Sequence, residues 1–125
     1  EQLLLMEDFI VYPGSELPLV KAMRLGAPGC ISATANLNAQ QILNVISLCE
    51  QHEWEQAAVA HDLAVESRLI FQEFAPIPGQ KALLAGMTGH EPWRHVRPPL
   101  LPMPEQEADL LRARLDALVT ERKSD

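Results

Sequence analysis

Few residues in this sequence carry reactive chemistry, and most of them stand alone. His90 and His95 flank Glu91, a trio of donor types that could hold zinc. Pro92 falls between them and denies the one-turn helical spacing that sets two imidazoles on one face, so the trio reads as surface loop. His61 lies in a long helical pattern and reads as a satisfied core histidine. Cys30 and Cys49 fall in different elements and make no C-x-x-C pair, which favours free thiols over a zinc site or a disulfide framework. A lysine nucleophile needs a desolvated pocket that lowers its pKa toward neutrality. Lys21 falls in a helix among polar neighbours, Lys81 follows a Pro-Gly break, and Lys123 lies in the charged tail, so none has that setting. What remains is two stretches of small and hydroxyl-bearing residues. One is Tyr12-Pro13-Gly14-Ser15-Glu16; the other is Gly29-Cys30-Ile31-Ser32-Ala33-Thr34-Ala35-Asn36. No G-x-S-x-G, Walker loop or G-x-G-x-x-G is present.

The elements that would position these stretches follow from periodicity. Glu1 to Met6 could close a helix. Phe9-Ile10-Val11-Tyr12 is a continuous apolar run ended by Pro13-Gly14, the pattern of a buried parallel strand. A helix is expected from Ser15 or Glu16 to Gly26, with Leu19, Val20 and Met23 on one face. Residues 30–33 read as a second strand. Asn36 or Asn38 can cap a helix running to about Gln51, with Ile42, Leu43, Ile46 and Cys49 at helical spacing. Alternation of this kind implies parallel strands with helical crossovers, and ligands bind at the C-terminal ends of such strands. Glycine there permits close backbone approach.

Past Gln51 the alternation stops. A long helix is expected from Glu53 to about Phe74, with Trp54, Ala58, His61, Val65 and Leu69 along one stripe. Pro76-Ile77-Pro78-Gly79 should break it, and a short helix should follow from Gln80 to Ala85. Residues 86–104 read as an extended connector, and a last helix covers about 105–122 with Leu111, Leu115 and Leu118 inward. Arg97-Pro98-Pro99-Leu100-Leu101-Pro102 has polyproline character, better read as a rigid connector than as a peptide ligand. The division expected is residues 1–51 as βα units and 52–125 as a helical region. Two parallel strands make one ladder with two open edges, so further strands are expected from an upstream part of the same protein. The opening of the chain at Glu1, on an apolar run and without Met, agrees with that expectation.

The whole composition excludes several classes. At 125 residues, 47% hydrophobic and with a formal net charge of −7, the chain lacks the clustered cations of a nucleic-acid or anionic-membrane surface. No stretch approaches the ~20 apolar residues of a membrane span, and no signal-peptide pattern appears, so a cytoplasmic location is expected.

Residues 14–16 and 25–36, with Pro76-Ile77-Pro78-Gly79-Gln80-Lys81-Ala82-Leu83 and Val96-Arg97-Pro98-Pro99-Leu100, resemble the dihydrodipicolinate synthase/N-acetylneuraminate lyase family in the right order. The chain departs from that family at Ala75-Pro76, where Asn-Pro is common, and the spacing to Lys81 is one residue longer. The resemblance implies an α/β fold, the C-terminal portion of a (β/α)8 TIM barrel (its last two strands) plus a C-terminal helical extension. It implies a class I aldolase or lyase, usually a homotetramer, in which a barrel lysine forms a Schiff base with pyruvate or a related 2-oxo acid and joins it to, or cleaves it from, an aldehyde. The imine is the electron sink, so no metal or organic cofactor is implied. Gly14 matches a glycine lining the site, Ile31 a residue packing against the keto acid, and Ser32 and Asn36 lie near the same mouth. The reactive lysine is expected upstream of Glu1, which leaves this chain inactive alone. Dihydrodipicolinate synthesis, N-acetylneuraminate cleavage and keto-deoxy sugar acid aldolase or dehydratase activity stay unseparated. The alternative is a non-catalytic helical assembly module, favoured by the absence of a poised acid, base or nucleophile.

Overall fold

The computed structural model describes residues 2–6 and 9–121. Those residues form a 3-10 turn at Gln2–Leu5 and five α-helices: α1 (Leu19–Arg24), α2 (Ala35–Glu50), α3 (Trp54–Gln72), α4 (Pro76–Thr88) and α5 (Glu105–Glu121). A second 3-10 turn, Glu91–Arg94, follows α4. The chain divides into two compact units, residues 1–65 and 66–125, with the boundary inside α3.

The expected strands are not there. Among the described residues no segment forms a strand or sheet, so the assignment of the last two strands of a (β/α)8 barrel is overturned, and the described architecture is helical. The physical reason lies in what the sequence signal measures. An apolar β-branched run reports a tendency to be buried, but a strand also needs a ladder partner along its length. Here Phe9 and Ile10 are 51% and 74% exposed. The two runs do approach at one point, where the Ile31 N–H donates to the Pro13 carbonyl (2.9 Å).

In the first unit, the core consists of Leu19 from α1, Ile42, Val45 and Cys49 from α2, and Ala57 from α3. Burying each of the larger aliphatic side chains contributes about 1.5–3 kcal/mol relative to exposure. Both α1 and α2 end in the same hydrogen-bonded motif. After α1, the Gly26 N–H reaches the Met23 carbonyl and the Ala27 N–H reaches that of Ala22. After α2, the His52 N–H reaches Cys49 and the Glu53 N–H reaches Leu48. This motif sets its penultimate donor in the left-handed region, taken by Gly26 (φ +94°) in one case and His52 (φ +61°) in the other. Arg24 lies 5.0 Å over the Trp54 ring and closes the edge of this core.

In the second unit, α4 begins at Pro76, not at Gln80 as the sequence suggests. Pro76 and Pro78 occupy the first turn, where a missing N–H costs nothing, so the expected breaker is the helix start. The Gly79 N–H closes that turn on the Ala75 carbonyl (2.9 Å). Gly79 also lets Met103 and Leu111 approach: a Cβ there would lie 3.1 Å from Met103 Cε and 3.2 Å from Leu111 Cδ2. Arg94 holds the connector to the start of α5 through the Met103 carbonyl (2.9 Å) and the Glu105 carboxylate (2.6 Å).

Candidate functional site

Glu16 is the polar centre of the first unit. It stands in the turn before α1 and is wholly buried. One carboxyl oxygen accepts from the Ser32 hydroxyl and the other from the Thr34 hydroxyl, while Asn38 Nδ2 stands 3.5 Å from the latter oxygen. The two hydroxyl oxygens are 2.9 Å apart. The Glu16 carbonyl is bonded as well, by the Leu19 N–H (2.9 Å) at the start of α1 and by His61 Nε2 of α3 (2.7 Å). His61 is thus a satisfied, half-buried histidine, as its place in the helical pattern suggests.

A turn over residues 32–35, closed by the Ala35 N–H on the Ser32 carbonyl (3.2 Å), brings residues 31–34 to this carboxyl group. Ser32 and Thr34 are buried there, whereas Ile31 and Ala33 are exposed. Asn38 lies where α2 kinks, with φ −110° and ψ 25° interrupting its first turns. That kink brings the Asn38 side chain inward, with Nδ2 toward Glu16 and Oδ1 buried without a partner.

The four residues singled out from the sequence fall as follows. Gly14 is exposed, two positions before Glu16, with open space around its Cα. Ile31 is 71% exposed and directly precedes Ser32. Ser32 is buried against Glu16 and Thr34. Asn36 is exposed, and its amide donates to the Ala33 carbonyl (2.8 Å). The Pro13–Ile31 backbone bond brings the segments that carry Gly14 and Ile31 side by side. Sequence reasoning missed Glu16, Thr34 and Asn38 as a network. Two signals were available: hydroxyls at i and i+2, and a carboxylate set between Ser15 and the apolar pair Leu17-Pro18.

Other reactive groups lie elsewhere. Lys21 is exposed on α1. Lys81 is half-buried on α4, with Nζ 5.9 Å from the Trp93 ring centre. It lines an open depression of about 330 Å³ with Ile77, His95, Val96, Arg97 and Leu100. Lys123 lies outside the described residues. His90 and His95 are exposed, and among the described residues no three His, Cys, Asp or Glu side chains group as metal ligands. Neither Cys30 nor Cys49 is in a disulfide. No helix among these residues is long and apolar enough to cross a membrane.

The model of the dihydrodipicolinate synthetase family matches residues 2–118. The chain belongs to the dihydrodipicolinate synthetase family. Its relatives include the 4-hydroxy-tetrahydrodipicolinate synthase of Haloarcula marismortui, 32% identical over 95% of this chain and 38% of that protein. The Methanopyrus kandleri enzyme of the same name is 32% identical over 90% of this chain and 37% of that protein. The chain therefore spans under two fifths of the length of these curated relatives. Among solved structures, a 2-keto-3-deoxygluconate aldolase variant from Sulfolobus solfataricus superposes with a TM-score of 0.81 at 18% identity, over 94% of this chain and 40% of that one. At that identity the likeness is one of fold. A dihydrodipicolinate synthase from Thermotoga maritima gives 0.74 at 26% identity, over 89% of this chain and 37% of that one. The curated relatives named here are lyases of the dihydrodipicolinate synthase kind, so this dihydrodipicolinate synthetase family chain has its relatives among lyases.

Proposed function

We propose that this chain is part of a Schiff-base aldolase or lyase that makes or breaks a C–C bond between a pyruvate-type 2-oxo acid and an aldehyde. The observation that carries the reading is the 32% identity to a 4-hydroxy-tetrahydrodipicolinate synthase across 95% of the chain. In this reading a lysine outside residues 1–125 attacks C2 of the keto acid and expels water to form the imine. Loss of a C3 proton gives the enamine, whose C3 attacks the aldehyde carbon, and hydrolysis then returns the amine. The positions of Lys21 and Lys81 support an outside lysine: one is exposed, and the other shares its depression with Arg97 and lies far in sequence from the Glu16 network. Gly14 and Ile31 form one wall of the keto-acid pocket, with Ser32 and Asn36 near the same mouth. The complete protein works without metal or organic cofactor, in the cytoplasm, as a homotetramer.

The test is reductive trapping. The complete polypeptide is incubated with pyruvate and sodium borohydride and then weighed. The expected result is one reduced pyruvate imine per chain; an unchanged mass would sink the reading. Residues 1–125 alone should give no adduct.

A second reading, a non-catalytic assembly module, rests on Leu43 of α2 and Val59 of α3, apolar side chains that are exposed in the first unit. An oligomer in sedimentation that never traps pyruvate would favour it.

A further inference from the structure

We infer that Glu16 is a positioning residue for the keto-acid wall, a role that rests on the reading just proposed. Glu16 cannot meet a ligand directly, because it is wholly buried. What it does is fasten the segment that carries Ile31. The Ile31 side chain is largely exposed, so packing within this chain does not hold it. Its place is set by its neighbours in sequence and by its backbone.

On one side of Ile31, the N–H donates to the Pro13 carbonyl (2.9 Å), one residue before Gly14. On the other side, Ser32 and Thr34 both donate to Glu16, two residues after Gly14. The wall residues are therefore tied across from each other twice, once by backbone and once through Glu16. The tie extends into the helices behind them. Asn38 at the kink of α2 approaches the same carboxyl group, and His61 of α3 holds the Glu16 carbonyl. A buried carboxyl group that takes both hydroxyls fixes their rotamers, and hence the backbone between them, more tightly than exposed side chains could.

An amide in place of the carboxyl group keeps the shape but changes this pattern. One side of Glu16→Gln can still accept, while the other presents an NH2 that must donate, so Ser32 and Thr34 cannot both donate to it. The wall should loosen without the fold being lost, and the loss should fall on keto-acid affinity.

The experiment uses the complete polypeptide and follows borohydride trapping against pyruvate concentration, reading the half-saturating concentration and the final extent separately. Glu16→Gln should raise the half-saturating concentration about three- to tenfold and leave the final extent and the circular dichroism unchanged. Thr34→Val, which removes one donor and keeps the side-chain shape, should shift it in the same direction by about threefold. Unchanged half-saturation in both variants overturns the inference. So does a final extent that falls with the folded fraction while half-saturation stays constant, since that is the mark of a purely structural residue. If Glu16→Gln does not fold, Thr34→Val alone decides. Wild-type protein that traps no pyruvate removes the parent reading and this inference with it. Wild-type trapping that both variants leave unshifted removes the inference alone.

Discussion

At the residue scale, environment separates groups that look alike in sequence. Cys49 is buried in the first core and Cys30 is half-buried beside it. Burial pushes the Cys49 thiol above its ordinary pKa; nearby Arg24 opposes the shift and Glu50 adds to it. The thiolate is the reactive species, so iodoacetamide should modify Cys30 well before Cys49 in the folded protein, with mass mapping as the readout. Equal rates would contradict this account. The sign of the pH effect follows. A raised folded pKa gives stability that is complete below the unfolded thiol pKa and is lost as pH rises through the folded value. Cys49→Ala should therefore flatten the alkaline limb of the thermal midpoint against pH. Glu73 shows the opposite sign. The hydrogen bond from Arg114 is the main reason its carboxyl stays below the usual carboxylate range. Its contribution is present above the ordinary carboxylate pKa and fades as pH falls through the depressed one. Both partners are exposed, so that contribution should be small and should vanish in high salt.

At the element scale, helix ends were legible in part: α1 closes at Gly26 as expected, whereas α4 starts before Gln80 and runs past Ala85. Gly26 and Gly89 mark the ends of α1 and α4, and both take positive φ. His52 closes α2 in the same conformation but pays the Cβ penalty of an L-residue there. Glycine should fit better, so His52→Gly should stabilise the protein by roughly 0.5–1 kcal/mol in denaturant titration, offset in part by losing the His52–Trp54 ring contact. Gly79 carries the opposite lesson, because its bare Cα is what lets Met103 and Leu111 close on α4. Gly79→Leu should overpack that contact and cost about 1–3 kcal/mol; a neutral result would mean the helices separate freely. The faces were harder to read. The stripe expected on α3 took its large residues, but Ala58 and Leu69 are exposed while Ala57, Ala64, Ser67 and Phe71 are buried. The buried line lies about a third of a turn away. Small residues admit close approach, and hydrophobicity alone ranks them too low to be seen.

At the scale of the whole molecule, two helical units carry residues that the chain does not itself cover. Phe9, Ile10, Tyr12 and Ile31 are all exposed large side chains of the first unit. Exposed large apolar side chains of that kind favour association. Residues 1–125 alone should therefore sediment as more than a monomer or bind a hydrophobic dye. A cooperative, monomeric melt without dye binding would contradict that expectation.

The sequence by itself determined α2, α3 and α5, the helix end at Gly26, and the family, because propensity, turn chemistry and residue order are local properties. It also marked residues 29–36 as a place of interest. It did not determine whether the apolar runs at 9–12 and 30–33 become strands, because a ladder depends on a partner and not on the run itself. Nor did it show that a single buried carboxyl group joins Ser32, Thr34 and Asn38, since Glu16 meets them only across 16 to 22 residues of chain. Only the tertiary structure decided which residues lie together there. Contacts between distant positions leave no local period to read.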